Sequence, residues 1–392
     1  MTETDQVTVA IIARNEAQSV AAAVRSVVDN FAGPIIVVDD FSSDETARIA
    51  VSVAPEQVTI VRPDHHVGIG MARQTALTAV TTPYFCWLDA DDMFLSGHIH
   101  RLLSLARKTA ADLVFEGVEL VDLNNERASQ SIPPPDFLFE ENGAYRLFER
   151  NWIEGSAFPM LRTAFARSIG YDSALEIGED YNFIQRALLA RGKIRFRKDI
   201  GYRYVHKADS LSRNLVRSEE GFRQNLALIP DRVVRRILVE EGFDDRQAAW
   251  ILVGRAAARK NHDLVLKYLN DMNLLAGNDV VYSDPSGPYP FPDLYRAEFH
   301  AGVAYLAKKE NDAAIASFQA ATEIWQSADG FNNLGIAYAR SGEVRKATAC
   351  FEMACRLFPD YLDAQQNLAA AEPNRVTNLP LRALPSRSRY SA

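Results

Sequence analysis

Residues 84–94 read "YFCWLDADDMF". An apolar run ends abruptly in Asp89, Asp91 and Asp92. Short apolar runs bounded by polar residues read as buried strands. Three carboxylates crowded at the end of one repel each other unless something cationic sits among them. Two carboxylates separated by one residue can share a hard divalent cation through oxygen ligands. The bland alternative is a solvated turn whose aspartates cap a helix. A calcium loop of the EF-hand type does not fit, because its required Gly and Glu positions hold Phe94 and His100. A phosphoaspartyl phosphatase also begins with Asp-x-Asp after a strand, but near the start of its domain, and is the weaker reading. A nucleotidyltransferase would want a glycine-rich loop after the first strand, where this chain has "ARNEAQS".

Outward from this stretch the pattern repeats. "VTVAII" (7–12), "PIIVVDD" (34–40) and "QVTIVRP" (57–63) are β-rich runs, each followed by a segment with helical spacing. Strands alternating with helices predict a parallel sheet in an α/β domain. In such sheets ligands bind beyond the C-terminal strand ends, so Asp39/Asp40 and Asp89/Asp91/Asp92 are expected to face one crevice. Ser42, Ser43 and Asp44 precede a helical pattern and carry an N-cap signature. Beyond residue 95, "DLVFEGVELVD" reads as a strand and "EDYNFIQRALLARG" as a helix. "IRFRKDIGYRYVHKADSLSR" reads as a strand ending in a polar loop. Residues 217–275 read as helical, and the Pro-, Gly- and Ser-rich stretch 278–294 as a linker or ordered loop.

Residues 297–361 hold an internal repeat. Gly302, Tyr305, Ala314, Phe318 and Ala321 recur 33 positions later as Gly335, Tyr338, Ala347, Phe351 and Ala354. This alternation of small and large residues fits helix–turn–helix units of the tetratricopeptide type, whose period is about 34 residues. Trp250 and Gly254 mark a degenerate third unit, and "YLDAQQNLAAAE" a terminal cap. The tail 373–392 has four arginines, three prolines and no acid, and is expected to be disordered.

The 392 residues carry a formal net charge of −8, which argues against a nucleic-acid binder. Cys86, Cys350 and Cys355 form no disulfide framework and no zinc spacing. The N-terminus lacks the basic region of a signal peptide, and no apolar stretch of about 18 residues suggests a membrane span. A cytoplasmic location follows as the expectation, with peripheral association at a membrane left open.

Five segments, "VAIIARNEAQSV", "IIVVDDFSSDET", "GIGMARQTA", "WLDADD" and "IGEDYNFIQRALLARG", together resemble the motifs of family 2 glycosyltransferases of the GT-A fold, in order and spacing. The likeness covers about residues 6–213. It implies a Rossmann-like nucleotide-diphospho-sugar transferase domain, an inverting reaction and a divalent cation, Mn²⁺ or Mg²⁺. It also implies a nucleotide-diphosphate sugar as donor, with a UDP-sugar favoured. Carried onto matching positions, Ala13, Arg14, Asn15 and Glu16 resemble the segment that lines the base. Asp40 looks like the residue that reads the base edge, with Asp39 beside it. Arg73 matches an arginine near the nucleotide. Asp89 and Asp91 resemble the Asp-x-Asp pair, Asp91 as metal ligand and Asp89 nearer the ribose and metal, with Asp92 as adjacent support. Asp180 looks like the general base, with Glu179 its rival. His206 matches a loop histidine that approaches metal or diphosphate.

Plainer roles stand beside these. Asp180 can cap a helix, Arg73 can pair with an acid, and His206, His65 and His66 can be loop residues. Trp87 and Trp152 read as core. Two positions depart from the family pattern: its glycine after "DD" is Phe41 here, and its Asn after "AR" is Gln74. The Gln-x-x-Arg-Trp motif of processive members is absent.

The sequence therefore predicts an α/β GT-A domain (1–215), a helical connecting region (216–290), tetratricopeptide-like repeats (291–372) and a basic tail (373–392). The predicted activity adds one sugar to a glycan, lipid-linked or protein acceptor. The repeats are expected to bind a protein partner or self-associate. The rival reading is a catalytically silent GT-A domain that serves, with the repeats, as an interaction platform.

Overall fold

The computed structural model describes residues 5–122, 129–153, 159–206, 215–274, 288–289 and 291–370. The tail expected at 373–392 and most of the loop expected at 278–294 lie outside these residues, as does the side chain of His206. The chain divides into two compact units after Pro230.

The first unit is built on one mixed sheet. Strands β1 (Val7–Ala13), β2 (Ile35–Asp39), β3 (Val58–Val61) and β4 (Tyr84–Asp89) are parallel, in the order β3-β2-β1-β4. They are nearly continuous apolar runs because helices cover both faces. Helices α1 (Val20–Val28), α2 (Thr46–Val53) and α3 (Ile69–Ala79) follow the first three strands, as the alternation predicts. Past β4 the alternation ends and the sheet becomes mixed. β5 (Met93–Phe94) leads through α4 (His98–Thr109) to β6 (Leu113–Asp122), β7 (Gln130–Ile132), β8 (Met160–Arg162) and β9 (Ile194–His206). β8 inserts antiparallel between β4 and β6, and β9 joins β6 in parallel and β5 in antiparallel fashion. A three-residue strand such as β8 carries too short a pattern to be read locally; pairing with its neighbours defines it.

Among the described residues this unit also holds the α-helices α5 (Thr163–Ile169), α6 (Glu179–Leu189) and α7 (Leu215–Leu228). α7 runs past residue 215, where the sequence suggests a boundary. It belongs with the first unit because Phe222 stacks on Tyr181 of α6 at 5.2 Å and Asn225 donates to the Ile177 carbonyl at 2.9 Å.

The second unit is helical: α8 (Asp231–Glu240), α9 (Asp245–Ala258), α10 (His262–Asp271), α11 (Asp293–Ala307), α12 (Asn311–Ile324), α13 (Ala328–Arg340), α14 (Val344–Leu357) and α15 (Leu362–Ala370). The 33-residue repeat maps onto the α11/α12 and α13/α14 hairpins. Where a degenerate third unit is expected, α9 and α10 follow one another and Trp250, Val253 and Ala256 of α9 and Val265 and Leu269 of α10 form one core with Ala297, Ala301 and Ala304 of α11. α15 closes the other end, where Tyr361 and Ala364 pack with Ala328 and Ala354. Among the described residues no helix is long and apolar enough to cross a membrane.

The repeated glycines are there for close approach. A Cβ on Gly302 would lie 2.7 Å from the Phe318 ring, and one on Gly335 would lie 2.5 Å from the Phe351 ring. Gly335→Ala should therefore destabilise the protein. The overpacking costs about 1–3 kcal/mol, against the ~1 kcal/mol that Ala gains over Gly in a helix. Urea denaturation followed by circular dichroism reads the loss, and adding Phe351→Leu should recover much of it.

Candidate functional site

The C-terminal ends of β1, β2 and β4 carry the polar residues. Two loops lie side by side there and are joined by side-chain bonds. Asn15 N–H donates to Ser42 Oγ at 2.9 Å, Glu16 N–H to Thr46 Oγ1 at 2.8 Å, and Ala17 N–H to Asp44 Oδ2 at 3.1 Å. In return Asn15 Oδ1 accepts from Ser43 N–H at 2.9 Å. The expected N-cap run does two jobs: α2 begins behind Glu45, which makes no side-chain cap bond, while Asp44 Oδ1 accepts from Thr46 N–H at 3.0 Å at the helix start and its Oδ2, with Ser42, serves the neighbouring loop. Ala13 is buried at the end of β1, Arg14 and Asn15 are exposed, and Glu16 is half-buried and accepts from Ser19 Oγ.

Both acids after β2 turn inward. Asp39 is fully buried; its Oδ1 accepts from Ser42 N–H at 2.9 Å and its Oδ2 from Arg62 Nη1 at 2.7 Å. Asp40 is also buried, and accepts from Val67 N–H at 2.8 Å and Gly68 N–H at 3.1 Å, with His66 Nδ1 2.8 Å away. Asp40 thereby fixes the turn that opens α3, and His66 is part of that tether. Neither Arg62 nor His66 carries a sequence signal for this work.

Arg73 lies at the centre. Its side chain is 1% exposed, yet it bonds Asp89 Oδ1 at 3.2 Å and Glu179 Oε1 at 2.8 Å. It also lies 5.0 Å from the centre of the Trp87 ring. Burial opposes its charge, but Asp89 and Glu179 outweigh burial and hold its proton more tightly than usual. Nη1 is buried with no hydrogen-bond partner. Arg73 thus joins α3, the end of β4 and the start of α6. The pairing with an acid that the sequence allowed is what the structure contains, twice over.

The α3 helix reaches this position because it runs close to the 172–175 loop: a Cβ on Gly70 would lie 2.6 Å from the Asp172 carbonyl. Gln74, one of the two departures, accepts from Tyr171 N–H at 2.8 Å. Trp87 Nε1–H donates to the Tyr171 hydroxyl at 2.7 Å, and Trp87 is core, as read.

Asp89 is partly exposed. Burial, together with Asp91 and Asp180, pushes its carboxyl up to about 6 in spite of Arg73. Glu179 is buried; burial and Asp180 raise it to about 7, again against Arg73. Asp180, half-buried in the first turn of α6, is thus felt by both acids. Asp92 is buried and accepts from Tyr202 O–H at 2.7 Å and Val205 N–H at 2.8 Å, while Asp89 N–H donates to the Tyr202 oxygen at 3.2 Å. Burial and then Asp89 and Asp91 raise the Asp92 carboxyl well above its ordinary range. Asp92 therefore ties the end of β9, where His206 stands, to the acidic turn. Asp91 is half-exposed at the same turn.

Among the described residues no three His, Cys, Asp or Glu side chains converge as a ready metal cage. The donor chemistry still fits a divalent cation. Asp89 and Asp91 are hard oxygen ligands, and beside burial, which is the main cause, the charges of Asp91 and Asp180 also press the Asp89 carboxyl upward.

Comparisons with known proteins agree with this architecture. Residues 8–169 match the family model of Glycosyl transferase family 2, and residues 328–361 that of a tetratricopeptide repeat. Succinoglycan biosynthesis protein ExoU of Rhizobium meliloti is 29% identical over 220 residues, covering 53% of this chain and 64% of that protein, just under two thirds of its length. Succinoglycan biosynthesis protein ExoO of the same organism is 25% identical over 285 residues, 64% of this chain and 78% of that one. The crystal structure of S. aureus TarS 1-349 in complex with UDP-GlcNAc shares the fold, with a TM-score of 0.52 at 15% identity over 81% of this chain and 91% of that one.

Two outcomes are expected. Arg73→Met leaves Asp89 and Glu179 without their buried cation and should cost about 3–5 kcal/mol in chemical denaturation. Glu179 binds its proton more tightly folded than unfolded, so the folded chain holds more protons between pH 4.5 and about 7 and loses stability as pH rises through that window. Glu179→Gln should flatten that part of the stability–pH curve.

Proposed function

The chain carries a domain of glycosyl transferase family 2, and from that premise we propose that it moves one sugar from a nucleotide-diphosphate sugar, a UDP-sugar in the favoured case, to a hydroxyl of its acceptor. The reaction is inverting and dependent on a divalent cation. The observation that carries this reading is the meeting of the β4 carboxylates with the start of α6 through Arg73. That contact brings an acid able to take a proton within electrostatic reach of acids able to hold a cation.

In this reading Asp91 and Asp89 hold Mn²⁺ or Mg²⁺, with His206 at the end of β9 as a further ligand. A bound cation would neutralise the diphosphate and improve it as a leaving group. Asp180 accepts the acceptor's hydroxyl proton as the new bond forms. Burial supports Asp180 over Glu179 for this role, since Glu179 is enclosed against Arg73 while Asp180 is half-exposed. Ala13, Asn15 and Glu16, on the loop joined to β2–α2, border the nucleotide, with Asp39, Asp40 and Arg73 as the buried groups that shape its pocket.

The curated relatives are named for succinoglycan biosynthesis, which supports assembly of a polysaccharide on a glycan or lipid-linked acceptor. The missing processive motif supports single addition. The helical repeats supply a surface for a partner or a second copy. The silent-platform alternative is not favoured, because a domain without catalysis has no use for mutually repelling carboxylates at one turn.

Thermal melting with UDP, GDP and dTDP, each with Mn²⁺ or chelator, tests the donor reading. One nucleotide at about a hundred times its Kd should add roughly 2.7 kcal/mol of stability, and Asp91→Ala should abolish the cation-dependent part. Asp180→Asn should lower sugar transfer by about 10²–10⁴-fold while that nucleotide still binds. Retained transfer in Asp180→Asn would remove Asp180 from its role.

A further inference from the structure

Phe41 is an exposed aromatic in a backbone conformation that suits glycine. It stands at φ +60° and is 47% exposed. Left-handed backbone is a marked outlier for a bulky side chain, and such strain persists where surrounding structure imposes it, often at ligand sites. Here the surroundings are explicit. Asp39 and Asp40 are both buried and bonded on the strand side of Phe41, and Ser42 is bonded to Asp39 and Asn15 on the other. A phenyl ring left this exposed gains only part of the burial that would offset such strain.

The ring also has a built support. Buried Asp39 holds Arg62 Nη1 at 2.7 Å, and Arg62 Nη2 donates to the Ser42 carbonyl at 2.6 Å. The guanidinium fixed this way lies 5.5 Å from the centre of the Phe41 ring. An arginine held at both ends cannot swing away, so the ring keeps a fixed cationic neighbour. The adjoining loop, Arg14 to Ala17, brings no aromatic side chain, and the two acids that precede Phe41 have their oxygens committed to the protein. What the end of β2 offers outward is an aromatic face.

We propose that Phe41, backed by Arg62, is the stacking surface for the base of the nucleotide donor. This rests on the donor reading above and adds the residue that grips the base. Stacking tolerates any base, so the residue secures the nucleotide without choosing among bases.

Calorimetric titration of the full chain with UDP and with pyrophosphate, each with Mn²⁺, tests it. Phe41→Ala and Phe41→Gly should both weaken UDP about tenfold, Phe41→Trp should bind as wild type, and pyrophosphate should bind equally to all. Glycine adopts the loop's backbone without strain, so that variant separates the ring from the shape of the loop. UDP binding by Phe41→Gly equal to wild type overturns the inference, and so does an equal loss of pyrophosphate. If the wild type binds GDP or dTDP and not UDP, the same comparison is read with that nucleotide. A wild type that binds none of the three overturns the donor reading itself, and this inference with it.

Discussion

A guanidinium removed from water keeps its charge at a reasonable cost only where carboxylates surround it. Arg73 meets that condition with two acids far apart in sequence, Asp89 at the end of β4 and Glu179 at the start of α6. The site depends on this contact. It ties the parallel half of the sheet to the helix that carries Asp180. The acids are also over-supplied: Asp91, Asp92 and Asp180 add negative charge that one arginine does not balance. A protein that only needed a core ion pair would have one carboxylate for one cation. In the proposed reaction that surplus is the charge a divalent ion would neutralise.

The loops above β1 and β2 obey a second constraint. Short loops at a strand end expose backbone donors that need partners. Here Ser42, Asp44 and Thr46 supply them across the gap to residues 15–17. The two loops consequently behave as one polar rim.

Much of this was legible in the sequence, for physical reasons. Parallel strands buried on both faces are continuous apolar runs, so β1, β2, β3 and β4 announced themselves. The 33-residue spacing of Gly and Phe recorded a packing geometry in which one residue needs the space of the other. β5 and β8 escaped because strands of two and three residues exist only by virtue of their partners. The same holds for Arg62, His66, Tyr171 and Tyr202. Each acts through a contact with a residue far along the chain, and nothing in its local pattern marks it. The run Ser42 to Asp44 shows half of its work locally: Asp44 bonds the Thr46 N–H at the helix start, but its other oxygen and the Ser42 hydroxyl hold the neighbouring loop, a tertiary use that no local pattern marks.

The paired acids show how the fold divides labour between adjacent residues of one charge. Of Asp91 and Asp92, the second is buried and bonded to Tyr202 and Val205, while the first is half-exposed. Of Glu179 and Asp180, the first is buried against Arg73 and the second half-exposed. One member anchors and its neighbour stays more open, because consecutive residues point in different directions. The pair after β2 departs from this rule: Asp39 and Asp40 are both anchors, one for Arg62 and one for the turn at residues 66–68. The outward place then falls to the next residue, Phe41, which is uncharged and aromatic. The pairs at the acidic turn and at α6 thus each leave one carboxylate more open, as the proposed handling of a cation and a proton requires. The third leaves a ring, and a flat uncharged partner is what a ring at that rim is suited to hold.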